Sequence, residues 1–159
     1  MRIEVSIPGQ TLRLFDEAGA LVQVSPVSTA ANGAGELCGS YCTPRGKHVV
    51  RARIGDGQPL NSVFVRRRPT GEIYTPELAL QYPGRDWILT RILWLSGCEL
   101  GMNRLGEVDT MRRYIYIHGT PDEVALGEPA SRGCVRMHNA DLLPLFERVA
   151  AGTAVEISG

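Results

Sequence analysis

Residues 112–139 read RRYIYIHGTPDEVALGEPASRGCVRMHN, and the rest of the chain is best read outward from them. Arg112–His118 alternates aromatic and β-branched residues, which predicts a strand with Tyr114, Tyr116 and His118 on one face and Ile115 and Ile117 on the other. His118 ends that strand and opens into Gly119-Thr120-Pro121, where a turn can present an imidazole. Sixteen residues later comes Cys134, with Arg132 and Arg136 on either side. Cationic neighbours lower a thiol pKa from ~8.5 toward neutrality. Gly133 lets the backbone approach a ligand closely, so the N–H groups of Gly133 and Cys134 are candidates for an oxyanion hole. A thiol, an imidazole and such a hole suit nucleophilic acyl transfer. On these residues alone a second reading stays open, with Cys134 a small buried hydrophobe and His118 a polar strand end.

Toward the N-terminus, Ile3, Val5 and Ile7 alternate with polar residues, Pro8-Gly9 breaks the run, and Leu12 and Leu14 resume it. Asp16–Gly19 predicts a hairpin turn into Leu21–Ser25, with Val22 and Val24 on one face. Residues 28–46, STAANGAGELCGSYCTPRG, predict a long loop of the kind that is usually functional. Lys47–Ile54 alternates again, with Val50, Ala52 and Ile54 inward and His48 at the surface. Turn signals crowd residues 55–110. Within them Trp87–Leu95 fits a buried strand or a helical segment equally well. Toward the C-terminus, Asp141 as N-cap would place Pro144 in the first turn, where its missing N–H removes no bond. Leu142, Leu145, Phe146 and Val149 then share a face, Gly152 stops the helix, and Val155 and Ile157 close the chain as a strand. The expectation is one mainly-β domain over residues 1–159 with a single late helix.

Length and composition agree with one domain, since 159 residues lie near the ~100–150 typical of one. Seventeen basic residues balance seventeen acidic ones, which leaves no electrostatic footprint for nucleic acid or an anionic membrane. The run Arg66–Arg68 reads as a solvated loop face. No apolar stretch approaches the ~20 residues that span a bilayer. Cys38 and Cys42 read as loop thiols, Cys98 as a small buried residue, and His138 as a solvent-facing or supporting group. A metal centre built from His118, Cys134, His138 and Cys98 would lack any recognised ligand spacing, so no cofactor or metal is expected.

The segment Ile117–Asn139 resembles the signature of the L,D-transpeptidase (YkuD-like) catalytic domain. That signature is a His-Gly-Thr, about a dozen intervening residues, then Ser-His-Gly-Cys-Ile-Arg-Met and an Asn. Here it is matched by His118-Gly119-Thr120 and by Ser131, Gly133, Cys134, Val135, Arg136, Met137 and Asn139, with Arg132 where the family has His. Val27-Ser28-Thr29, Thr43–Gly46 and Gly152-Thr153 extend the likeness over most of the chain. The resemblance implies a β-sandwich domain, with Cys134 as nucleophile, His118 as base and the Gly119 carbonyl orienting the ring. It places Ser131, Arg132, Gly133, Arg136 and Asn139 around the thiol as oxyanion or substrate-binding residues, with Arg136 either holding a substrate carboxylate or making a structural ion pair. It further implies a peptidoglycan stem peptide or muropeptide as substrate, cut between its third residue and D-Ala, and acylation of Cys134 by carbapenems.

The chain opens MRIEVSIPGQ, inside its first strand and without the apolar core of a secretory signal. The expectation is a cytoplasmic enzyme, periplasmic only if a leader has been removed or export is non-standard. Water is then the expected acceptor, making an L,D-carboxypeptidase of peptidoglycan recycling. The alternatives are a transpeptidase that forms 3→3 cross-links or attaches proteins, and an inert peptidoglycan-binding module.

Overall fold

The N-terminal alternation builds a hairpin of β1 (Arg2–Ser6) and β2 (Thr11–Phe15), which buries Ile3, Val5, Leu12 and Leu14 on one face. In the computed structural model, which describes residues 1–159, this hairpin begins a ten-stranded sheet. β3 (Leu21–Pro26) pairs with β2 through a bulge beside Phe15, and the bulge changes which residues face inward. Ser25 is buried and Val24 exposed, so Val22 and Val24 do not form the expected apolar face. The remaining strands are β4 (Gly46–Ile54), β5 (Ser62–Val65), β6 (Arg68–Ile73), β7 (Leu89–Gly97), β8 (Tyr116–Thr120), β9 (Val135–His138) and β10 (Ala154–Ser158).

The strand order is β3-β2-β1-β10-β4-β7-β5-β6, with β8 joined to β7 and β9 to β8. Just beyond β3, Ser28 pairs with Arg136 of β9 through two backbone hydrogen bonds of 2.9 and 3.0 Å. The layered mainly-β form expected is therefore one sheet curled on itself, its ends joined at that bridge. Inside lies a core that includes Val50, Leu93, Ile117, Val135, Met137 and Val155. The Trp87–Leu95 ambiguity resolves as strand, because β7 pairs with β4 on one side and β8 on the other.

The late helix, α2 (Asn139–Arg148), packs Leu142, Leu145 and Phe146 fully into this core. Each such burial contributes roughly 1.5–3 kcal/mol. It starts two residues before the expected N-cap, with His138 in that position and no side-chain cap. Pro144 is therefore inside the helix and removes the hydrogen bond to the Ala140 carbonyl; both residues are exposed, so water can take that place. The helix ends at Arg148, before Gly152, and Arg53 donates 2.7 Å to the Phe146 carbonyl while stacking on that ring.

Several further positions differ from the expectation. His48 is buried, its ring spanning the Gly46 carbonyl at 3.0 Å and Thr110 Oγ1 at 2.9 Å. Cys98 is exposed. A short helix, α1 (Pro76–Gln81), adds a second helix, capped by Thr75 Oγ1 accepting from Leu78 N–H. Thr-Pro-Glu at 75–77 carries that signal in the sequence. Tyr114 lies outside β8 in a turn with φ +57, although Tyr116 and His118 do share a face. No helix is long and apolar enough to cross a membrane.

Candidate active site

β8 and β9 run parallel and in register, Ile117 beside Val135 and His118 beside Arg136. This pairing brings together the two ends of the segment that the sequence places sixteen residues apart. Immediately before β9, the turn Ser131–Cys134 is held by its own side chains and by the long loop. Ser131 Oγ donates to the Cys134 carbonyl at 2.6 Å and accepts from Gly133 N–H at 3.2 Å. Thr43 Oγ1 donates to the Gly133 carbonyl at 2.9 Å. Gly133 has φ +133, a conformation that disfavours any side chain. The Gly133 N–H is thus engaged by Ser131, whereas the Cys134 N–H makes no hydrogen bond. Of the two expected oxyanion donors, Cys134 N–H is the free one.

Cys134 Sγ accepts from Tyr116 N–H at 3.3 Å and donates to the Tyr114 carbonyl at 3.4 Å. Burial pushes the thiol up to about 12, opposed by the Tyr116 N–H and by the Arg136 and Arg113 guanidinia, with Asp86 adding to the rise. This corrects the expectation of a lowered thiol pKa. Arg136 is paired with Asp86 at 3.0 Å, so its charge is largely neutralised beside the sulfur. Arg132 is exposed and donates to the Gly84 carbonyl at 3.1 Å.

His118 is fully buried. Its Nδ1 donates 2.6 Å to the Gly119 carbonyl, which fixes the tautomer and leaves Nε2 as the bare, basic nitrogen. Nε2 is buried without a partner. Burial lowers the imidazole pKa, with Asp86 working against it, so the ring is neutral at pH 7. Gly119 itself leaves no room for a side chain. A Cβ there would collide with Asn139 Oδ1 and stand 2.5 Å from the Leu89 carbonyl. Asn139 is consequently not beside the thiol as expected. It lies under Gly119, accepting from Thr90 Oγ1 at 2.7 Å and donating to Asn61 Oδ1 at 2.8 Å. It packs against Gly119 and joins β7 to the segment before β5.

Cys134 and His118 open on one cavity of about 460 Å³, which Ser131 also lines. Arg66, Arg67, Arg113, Arg132 and Arg136 line it too, against the single carboxylate of Asp86. Sequence reasoning missed Arg67, Arg113 and Asp86. Arg67 stacks on Trp94 and Tyr114 at 4.9 and 4.6 Å and donates 2.9 Å to Tyr116 Oη. The Arg66–Arg68 run is a hairpin tip that is solvated at Arg66 and Arg68, as expected, while Arg66 and Arg67 also line this cavity. Arg113 ties the long loop to the site through the Cys42 carbonyl at 2.6 Å. No three His, Cys, Asp or Glu side chains meet in a metal-binding arrangement, and His138 Nε2 faces the Val124 carbonyl at 3.3 Å.

The two buried histidines make stability acid-sensitive. Both His48 and His118 have pKa values lowered by burial, so the unfolded chain binds protons near pH 6.5 that the native state refuses. Native stability is therefore full above about pH 6.5 and falls as pH drops below it, by up to about 1.4 kcal/mol per pH unit per histidine. Urea midpoints at pH 7.5 and 5.0 are expected to show a clear loss at the lower pH; an unchanged or higher midpoint would contradict the burial.

The family description "YkuD: L,D-transpeptidase catalytic domain" matches residues 1–157. The chain is 31% identical over 157 residues to the Bacillus licheniformis protein named as the L,D-transpeptidase YkuD, covering 99% of this chain and 65% of that one. Among solved structures it superposes on an L,D-transpeptidase from Mycobacterium smegmatis with a TM-score of 0.61 and 17% identity, covering 99% of this chain and 58% of the other. A second is L,D-transpeptidase 3 from Mycobacterium tuberculosis in complex with a faropenem-derived adduct (TM-score 0.59, 17% identity, 99% and 59% coverage). At those identities the structural likeness is one of fold, and the chain spans less than two thirds of each of these relatives. With the family pattern running through both the curled sheet and the His118–Cys134 segment, the chain belongs to the YkuD family of L,D-transpeptidase catalytic domains.

Proposed function

We propose that the protein is an L,D-carboxypeptidase that removes D-Ala from peptidoglycan stem tetrapeptides or muropeptides, with cytoplasmic free muropeptides as its substrate pool. The observation that carries this reading is the cavity itself: a thiol and a neutral imidazole within a wall of five arginines and one aspartate. Such a wall attracts the carboxylates of a stem peptide and repels the ammonium form of an acceptor amine, while water enters unopposed.

In this reaction the Cys134 thiol gives its proton to His118 Nε2 as Sγ bonds to the carbonyl carbon of the third residue. The oxyanion faces the free Cys134 N–H. The C–N bond then breaks, and His118 returns its proton to the departing D-Ala amine. Water attacks the thioester with His118 again taking a proton, and the thiol leaves. A neutral imidazole and a protonated thiol at rest support the general-base role of His118. The second reading is an amine acceptor giving 3→3 cross-links or protein attachment, and it is favoured by relatives that are named L,D-transpeptidases.

Incubation with disaccharide tetrapeptide, alone and with an excess of a second stem peptide, separates the two. Tripeptide and free D-Ala in both mixtures is the expected result. A cross-linked dimer as main product would overturn the hydrolytic reading. Recovery of the protein with the membrane or periplasmic fraction of its source cell would overturn the cytoplasmic one.

A further inference from the structure

The β5–β6 hairpin closes with a two-residue loop, since Val65 pairs with Arg68. Its central residues are Arg66 and Arg67, with φ of +50 and +64. Loops of this geometry normally use Asn-Gly or Asp-Gly, because a side-chain-bearing residue is disfavoured at positive φ. Two consecutive arginines there hold strain that the hairpin does not need for closure, and such strain gathers at ligand-binding sites. Both side chains line the cavity that holds Cys134 and His118.

The two guanidinia are differently placed. Arg67 is fixed by Trp94, Tyr114 and the Tyr116 hydroxyl. Arg66 is exposed and makes no hydrogen bond, ion pair or ring contact. Asp86, the cavity's only carboxylate, is already held by Arg136. The cavity therefore contains an unpaired guanidinium beside a cation that excludes other cations. From this we infer that Arg66 is a carboxylate-binding residue for the donor peptide and that Arg67 is the stacked residue that positions it. The inference rests on the stem-peptide reading above and adds a specificity element to it. A stem tetrapeptide brings two carboxylates near the scissile bond, the terminal one of the leaving D-Ala and the side-chain one of a diamino diacid at the third position. Either meets the planar donor fork of Arg66.

Calorimetric binding to the Cys134→Ala protein reads this without turnover. Three peptides are compared: the tetrapeptide, its C-terminal amide and its third-residue amide. A charge-assisted pair of this kind corresponds to about tenfold in affinity or more. One amide is expected to bind about tenfold more weakly than the parent, and its identity names the carboxylate. In Cys134→Ala/Arg66→Gln the parent should weaken to the level of that amide, whose own affinity should not change, and Arg66→Lys should recover part of the loss. The inference is overturned if the parent does not bind, if all three peptides bind alike, or if Arg66→Gln weakens every peptide equally. Turnover by the unmodified enzyme reports separately on the stem-peptide reading. Hydrolysis together with equal binding of acid and amides would remove Arg66 while leaving the proposed function intact.

Discussion

Cys134→Ala is expected to lose turnover of a stem tetrapeptide by at least about 10⁴-fold, the scale on which removing a covalent nucleophile acts. Peptide binding should survive, because the cavity wall is built by other residues: Ser131 Oγ, Thr43 Oγ1 and the Ser28–Arg136 bridge all hold the turn without the thiol. Steady-state release of D-Ala, paired with calorimetric binding, measures both. Loss of turnover with binding retained is the outcome for an enzyme. Full cellular function of the Cys134→Ala strain is the outcome for an inert binding module and would exclude covalent catalysis.

The second large effect belongs to His118. With the thiol pushed up to about 12, almost no thiolate exists at neutral pH unless a base takes the proton. His118 lines the same cavity with its Nε2 unpartnered and is the base proposed above, whereas Asp86, the cavity's one carboxylate, is committed to Arg136. His118→Gln is therefore expected to lower turnover by about 10³–10⁴-fold, the upper part of the general-base range. The pH profile adds a sharper sign. Without the imidazole, rate should climb about tenfold per pH unit through the neutral range as hydroxide supplies the thiolate. The unmodified enzyme should instead stay flat through the neutral range, because the lowered pKa keeps His118 basic there. A loss below tenfold, or a variant profile parallel to that of the native enzyme, would remove His118 as the base.

Much of the fold was legible where alternation and burial coincide. β1, β2 and β10 place Ile3, Leu12 and Val155 as their period predicts, and Leu142, Leu145 and Phe146 share the buried face of α2. Alternation failed where a bulge intervened, as at Val24, and where a polar side chain found partners inside, as His48 did with Gly46 and Thr110. The start of α2 was misplaced because Asp141 is a good N-cap by type, whereas tertiary pairing of β9 up to His138 sets the actual boundary. At the site, His118, Gly119, Ser131, Gly133 and Cys134 could be read because one continuous segment carries them. Arg67, Asp86 and Arg113 could not, since only the folded sheet brings β6's hairpin, the approach to β7 and the turn before β8 to the same cavity. Asn139 was misassigned for a related reason: proximity in sequence to Cys134 says nothing about its packing against Gly119, next to the Leu89 carbonyl. The thiol's direction of shift was likewise reversed, because flanking arginines are visible in sequence and burial is not.

The most direct test is the intact mass of the protein after incubation with a carbapenem, whose strained carbonyl traps an acyl-enzyme. One adduct is expected, mapped by peptide mass to the segment that contains Cys134 and missing from Cys134→Ala. No adduct, or an adduct carried by Cys38, Cys42 or Cys98 in place of Cys134, would contradict acyl transfer through this thiol.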